Sequence, residues 1–150
     1  MRIAMGYDEQ THLIDTIRKD LEKRGFEVLV FAPMQDEKTA WPRVAREAAE
    51  AVAFDKADEG ILLCWTGTGV SMAANKVPGI RAALCEDAET ARGARLWNNA
   101  NVLCISIRRT SETMAAEILD KWFDTSYKPN EVDDACLAMI EGLEAAYRHN

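Results

Sequence analysis

The chain has 150 residues, 48% hydrophobic and 29% charged, with a formal net charge of −7. That length suits one domain spanning residues 1–150, with room for a sizeable core, and the acidic balance argues against nucleic acid, whose phosphates need a basic face. No stretch reaches the ~18–20 apolar residues of a membrane span, and "MRIAMGYDEQ" lacks the apolar segment of a secretion signal, so a cytoplasmic protein with no membrane partner is expected.

In chain order the pattern alternates. "RIAMGY" (2–7) reads as a strand. Leu13, Ile14, Ile17 and Leu21 share a helical face, and Gly25 stops that helix. "FEVLVFA" (26–32) is the next strand. Pro42 suits the first turn of a helix whose stripe is Val44, Ala48 and Val52. "GILLCW" (60–65) is the continuous apolar run of a strand buried on both faces. A short helix is expected over 69–76, a strand over 80–85 and a helix capped by Asp87 that runs to Trp97. "VLCISI" (102–107) is the fifth strand. Ser111 caps a helix carrying Met114, Ile118 and Trp122. A last helix over about 130–148 aligns Val132, Cys136, Met139, Ile140, Leu143 and Tyr147. That face either covers the subunit's own core or docks on a partner. Strands alternating with helices imply an α/β domain with a parallel five-stranded sheet.

The cysteines are Cys64, Cys85, Cys104 and Cys136, without zinc spacing. A small buried hydrophobe is the ordinary role of such residues. His12 and His149 are too far apart in sequence to suggest a metal cluster, so no metal site is expected. In open α/β sheets ligands bind beyond the carboxyl ends of the strands. Polar residues follow the first strand ("GYDEQ") and the third ("CWTGTG"), and "WNNAN" precedes the fifth.

"GILLCWTGTGVSMAANK" (60–76) concentrates the chemistry. It is not a Walker A loop, because Val70 follows Gly69 where that motif needs Lys. A dinucleotide loop needs its glycines after the first strand, and "YDEQT" has none. What remains is a strand, a two-glycine loop and a helix. The Gly67, Thr68 and Gly69 amides could converge on an anion or a developing oxyanion, beside the Cys64 thiol, which can serve as nucleophile or base, and the Thr66 hydroxyl. The residues alone equally admit a tight turn beside a buried cysteine.

The stretch from Gly60 to Cys85 closely resembles the ribose-5-phosphate isomerase B family, which includes galactose-6-phosphate isomerase subunits. Asp8, the Trp41-Pro42 pair and "NNANVL" extend the likeness. It implies a Rossmann-like three-layer α/β/α sandwich with an extra C-terminal helix. It also implies a homodimer or homotetramer with the site between subunits, and aldose–ketose isomerisation through a cis-enediolate without metal or organic cofactor. By resemblance Cys64 is the proton-shuttling thiol, Thr66 and the 67–69 amides stabilise the enediolate, and Asp8 meets substrate hydroxyls. Asn98 and Asn101 match a sugar-binding motif supplied across the interface. Some relatives use a Glu as base where Val70 stands, which favours Cys64 here.

The departures concern the substrate. Trp97 occupies the place of a ring-opening His, and an indole is no acid–base group at neutral pH. Glu9 replaces another His, and Trp65 a Gly. The C-terminal Arg residues that bind phosphate in relatives are replaced by an acidic segment with Glu131, Asp133 and Asp134. Arg108 is retained, and Arg109 and Lys128 are substitutes. The expected substrate is therefore a small sugar or sugar phosphate other than ribose 5-phosphate, bound by Glu9, Trp41, Trp65, Trp97, Asn98, Asn101 and Arg108. A four-carbon sugar phosphate, which closes no furanose ring, and an unphosphorylated sugar stacked on Trp97 both fit. The second reading is a catalytically silent sugar- or sugar-phosphate-binding subunit of a hetero-oligomer.

Overall fold

A computed structural model describes residues 1–147. Five strands, β1 (Arg2–Tyr7), β2 (Glu27–Phe31), β3 (Glu59–Cys64), β4 (Ala82–Leu84) and β5 (Val102–Ser106), form one parallel sheet in the order β2-β1-β3-β5-β4. Six helices accompany them among the described residues: α1 (His12–Lys23), α2 (Ala40–Ala53), α3 (Thr68–Ala74), α4 (Ala88–Asn98), α5 (Glu112–Asp124) and α6 (Glu131–Ala146). This is the expected Rossmann-like sandwich.

Strand residues alternate between faces. Ile3, Met5 and Tyr7, with Ile61, Leu63, Leu103 and Ile105, pack beneath α1, α4 and α5. Ala4, Leu62, Cys64, Val102 and Cys104 face α2 and α3. Each fully buried aliphatic side chain contributes roughly 1.5–3 kcal/mol. On the α2 face Gly6 sets the spacing, because a Cβ there would lie 2.7 Å from Leu62 Cδ2 and 3.1 Å from the Val44 carbonyl oxygen.

The local signals hold where they rest on hydrogen-bond chemistry. Asp87 accepts the Thr90 amide at 2.7 Å and Ser111 accepts the Met114 amide at 3.2 Å. Gly25 ends α1 with φ +79°. Strand β4 is shorter than the expected 80–85 because the Arg81 amide donates to the Asn101 side chain and the Ile80 amide closes a turn on Val77. Helix α3 stops at Ala74 instead of running to 76. The Asn75 side chain turns to β4, where its amide pairs with both backbone groups of Ala82.

Helix α6 settles one alternative. Among the described residues none of its side chains is buried, and Val132, Met139, Ile140, Leu143 and Tyr147 stay exposed. Its apolar face does not cover this subunit's core. The outer part of the expected 130–148 range, like His149, lies outside the described residues. No helix among the described residues is long and apolar enough to cross a membrane.

Candidate active site

The chain leaves β1 toward β2 through α1 on one face, then returns to β3 through α2 on the other. The strand order reverses between β1 and β3, which is where an open α/β sheet forms its crevice. Tyr7 is in register with Leu63, so Asp8 follows β1 beside Cys64 at the end of β3. These two side chains come from the two flanks of the crevice.

Cys64 is 5% exposed at the end of a strand whose six residues are all buried. Its carbonyl accepts the Ile107 amide, and the Trp65 carbonyl accepts the Arg108 amide and the Ser106 hydroxyl. The end of β5 thus holds the loop. Gly67 turns it with φ +75°, and a Cβ there would lie 2.5 Å from Leu84 Cδ1 and 3.0 Å from Ser106 N. Only glycine meets both demands. Thr66 and Thr68 share a hydrogen bond at 2.6 Å between their hydroxyls, and both residues are exposed. Gly69 lies against the Trp41 indole.

The other cysteines do not compete for the role. Burial pushes the Cys85 thiol up to about 12 and raises that of Cys104 as well. Cys136 is exposed on α6. Among the described residues no group of three or more His, Cys, Asp or Glu side chains could hold a metal ion.

Asp8 follows β1 at this crevice. Its Oδ1 is buried with no hydrogen-bond partner among the described residues, and so is Thr11 Oγ1 on the neighbouring turn. Burial raises the Asp8 carboxyl above its usual range, and nearby Glu9 adds to this while a backbone hydrogen bond opposes it. Thr11 was not legible as a site residue. It is the N-cap residue of α1, yet its side chain makes no cap bond. Around this edge Glu9, Trp65 and Arg108 are exposed, His12 pairs with Glu112 at 2.8 Å, and Arg109 lies 4.0 Å from Glu86. Lys128 is exposed between α5 and α6.

The "WNNAN" residues are elsewhere. Helix α4 ends at Asn98, before β5 begins at Val102. Val102 is level with Gly60, while Cys64 is level with Ser106. Four residues separate the two ends, roughly 13 Å at about 3.3 Å per residue. Trp97 and Asn98 thus sit at the amino edge, remote from their own Cys64. A groove of about 780 Å³ runs there along β4, lined by Asn75, Leu84, Thr90, Trp97, Asn98 and Ile140 among others, and it includes neither Cys64 nor Asp8. The Trp97 ring covers Gly93, where a Cβ would lie 2.7 Å from Cζ3, and Arg92 stands 5.8 Å from its centroid. Asn101, expected at the substrate, has both ends of its amide occupied by backbone: it accepts from Arg81 N–H and donates to the Gly79 carbonyl. The geometry makes it a tie within the turn.

Residues 3–140 match the ribose/galactose isomerase family. The chain belongs to that family. Its relatives include galactose-6-phosphate isomerase subunit LacB of Clostridium acetobutylicum, 36% identical over 95% of this chain and 83% of the relative. D-erythrulose-4-phosphate isomerase of Pectobacterium atrosepticum is 38% identical over 85% of this chain and 86% of the relative. The structure of Clostridium thermocellum ribose-5-phosphate isomerase B superposes with a TM-score of 0.91 at 36% identity, covering 98% of this chain and 99% of that one. The ribose/galactose isomerase fold therefore extends through α6. The named relatives are isomerases of sugar phosphates with different carbon chains, so the family fixes the class of reaction more closely than the sugar.

Proposed function

We propose that this protein interconverts the aldose and ketose forms of a small sugar phosphate, with Cys64 as the base. The Cys64 thiolate takes the proton from the carbon next to the carbonyl, and the electron pair moves onto the carbonyl oxygen to give an enediolate. The amides of Gly67, Thr68 and Gly69, with the Thr66 hydroxyl, receive that charge. Each preorganised donor contributes roughly 3 kcal/mol, and a positioned base a further ~10²–10⁴-fold. Return of the proton to the neighbouring carbon, with proton exchange between the two oxygens, completes the reaction. Asp8 accepts a hydroxyl of the substrate. The observation that carries this reading is the buried Asp8 Oδ1, without a hydrogen-bond partner among the described residues, at the end of β1 beside the end of β3 that bears Cys64.

The best-supported substrate is a four-carbon sugar phosphate such as D-erythrulose 4-phosphate. With its 4-oxygen esterified it forms neither a furanose nor a pyranose ring, so a site with Trp97 in place of the ring-opening His loses nothing. Two relatives bear that substrate in their names, at 38% and 40% identity. Arg108 and Arg109 are the cations nearest in sequence to the end of β5 and would meet the phosphate.

The functional unit of this reading is a homodimer with shared sites. Trp97 and Asn98 end α4 at the amino edge of the sheet, away from their own Cys64, and a second copy would bring them to it. The uncovered face of α6 and the groove along β4 supply the apolar surface that such an association needs.

The test is solvent deuterium exchange at the carbon next to the carbonyl, over aldoses and ketoses of four to six carbons, with and without phosphate. Exchange is expected with the four-carbon phosphate and is lost in Cys64→Ser. No exchange with any sugar, from folded protein, would sink the isomerase reading. Full activity in Cys64→Ser would move the base elsewhere.

A further inference from the structure

A buried ion pair lies at the edge of the sheet away from the candidate base. Glu59, the first residue of β3, is 7% exposed. Its Oε1 lies 2.6 Å from Arg95 Nη2, and its Oε2 accepts the Trp122 indole N–H at 2.6 Å. The Arg95 guanidinium stands 5.0 Å from the Trp122 ring centroid. Its other nitrogens donate to the Ala100 carbonyl at 2.5 Å and the Thr125 carbonyl at 3.3 Å. One side chain thus joins β3, the end of α5 and the turn that follows α4. Replacing such a pair by packed apolar groups is often neutral for stability, so stability alone is a weak account of it.

What the network shapes is the turn that follows Trp97 and Asn98 at the end of α4. Asn99 adopts φ +43°, and the Ala100 amide returns to the Ala94 carbonyl at 3.0 Å. Arg81 Nε donates to the Asn99 carbonyl at 2.8 Å, and Asn101 bonds the Arg81 amide and the Gly79 carbonyl. The carbonyls of residues 99 and 100 are therefore each held by a guanidinium. Asn98 is exposed, and its side chain makes no hydrogen bond among the described residues. The turn is thus tied at residues 99, 100 and 101.

We infer that Arg95, held by Glu59 and Trp122, is a positioning residue that sets the direction in which Asn98 and Trp97 enter the site of the neighbouring subunit. This rests on the shared-site reading above. Its consequence is unusual for a buried ion pair: a lesion in it acts on the partner's reaction and leaves the subunit's own Cys64 half intact.

The experiment uses dimers of two differently tagged chains, assayed with the same panel of sugar phosphates. Arg95→Lys keeps the charge beside Glu59 but loses the planar fork. Its homodimer is expected to lose about ten- to hundredfold in kcat/KM, mostly through KM, as misplacement of a substrate contact does. Paired with a Cys64→Ser chain, it contributes the intact Cys64 and receives an undisturbed Asn98. That mixed dimer is expected to regain the wild-type KM and about half the wild-type rate, with one working site of two. Unchanged kinetics in the homodimer, or a mixed dimer as poor as the homodimer, would overturn the inference. Glu59→Gln, which keeps the acceptor for Trp122, is expected to behave in the same way and replaces Arg95→Lys if that chain does not fold. The control is Asn98→Ala paired with Cys64→Ser. Failure of that pair to recover activity sinks the shared site itself, whereas its recovery without recovery of Arg95→Lys sinks only the positioning role.

Discussion

The indole of Trp41 rests on Gly69: a Cβ at residue 69 would stand 3.1 Å from Trp41 Cε3 and 3.2 Å from Cδ2. Trp41 opens α2 and Gly69 lies in the first turn of α3, so this contact joins two helices at the mouth of the crevice. The backbone at Gly69 is not left-handed, and the constraint is purely steric. Gly69→Ala is expected to displace Trp41 and lower kcat/KM by about tenfold or more. Adding Trp41→Leu relieves the crowding, so the double variant recovers loop geometry, checked by its thermal midpoint against each single variant.

Gly67 differs in kind. Its left-handed φ and its approach to the β5 backbone cannot be relieved by moving one side chain. Gly67→Ala is expected to cost about 3 kcal/mol of stability in a urea melt, from backbone strain together with overpacking. A loss no larger than that of Gly69→Ala would show that the loop is softer than its contacts indicate.

Asp8 links the site to pH. Burial holds its folded pKa above the ordinary 3.8, so the folded protein binds this proton more tightly than the unfolded chain. Its contribution favours folding below that value and turns against folding as pH rises through the folded pKa. Asp8→Asn is therefore expected to be more stable than wild type at pH 7 in denaturant titrations, and the difference should shrink as pH falls toward 4. A growing difference on acidification would show that the carboxylate is satisfied in the free protein.

Glu37 has the opposite sign. The Arg43 guanidinium grips its two oxygens at 2.7 Å each, and the Met34 amide adds a third bond. These contacts hold the carboxyl down to about 2. The stabilisation is present above the ordinary 4.5 and is lost as pH falls through about 2. Glu37→Gln is expected to be less stable than wild type at pH 7, with the difference closing across that acid window. Because Arg43 follows Trp41 on α2, the same substitution is also expected to loosen the indole, seen as a shift in tryptophan fluorescence.

Much of the fold was legible because the local signals agree. Continuous apolar runs marked the central strands, and side-chain oxygens marked the starts of α4 and α5. Strand β4 was overread by its flanks, since an apolar pattern does not reveal that Arg81 and Asn75 divert backbone groups to side-chain partners. Within the site, Cys64, Thr66 and the glycines could be found together because six consecutive residues carry them. Thr11 was missed, as its position before a helix suggests a cap. The Glu59–Arg95–Trp122 network was missed for another reason. Its members are separated by 36 and 27 positions along the chain, and no spacing rule connects them.

The sequence by itself determined the alternation of strands and helices, the glycine loop after the buried strand and the resemblance that names the chemistry, because each depends on neighbours a few residues apart. Only the tertiary structure decided the strand order, which sets Asp8 beside Cys64 and carries Trp97 and Asn98 to the far edge of the sheet. It also left α6 uncovered and gave both ends of the Asn101 amide to backbone. Pairing of strands distant in the chain depends on long-range burial and hydrogen-bond satisfaction, and those are properties of the folded assembly rather than of any local window.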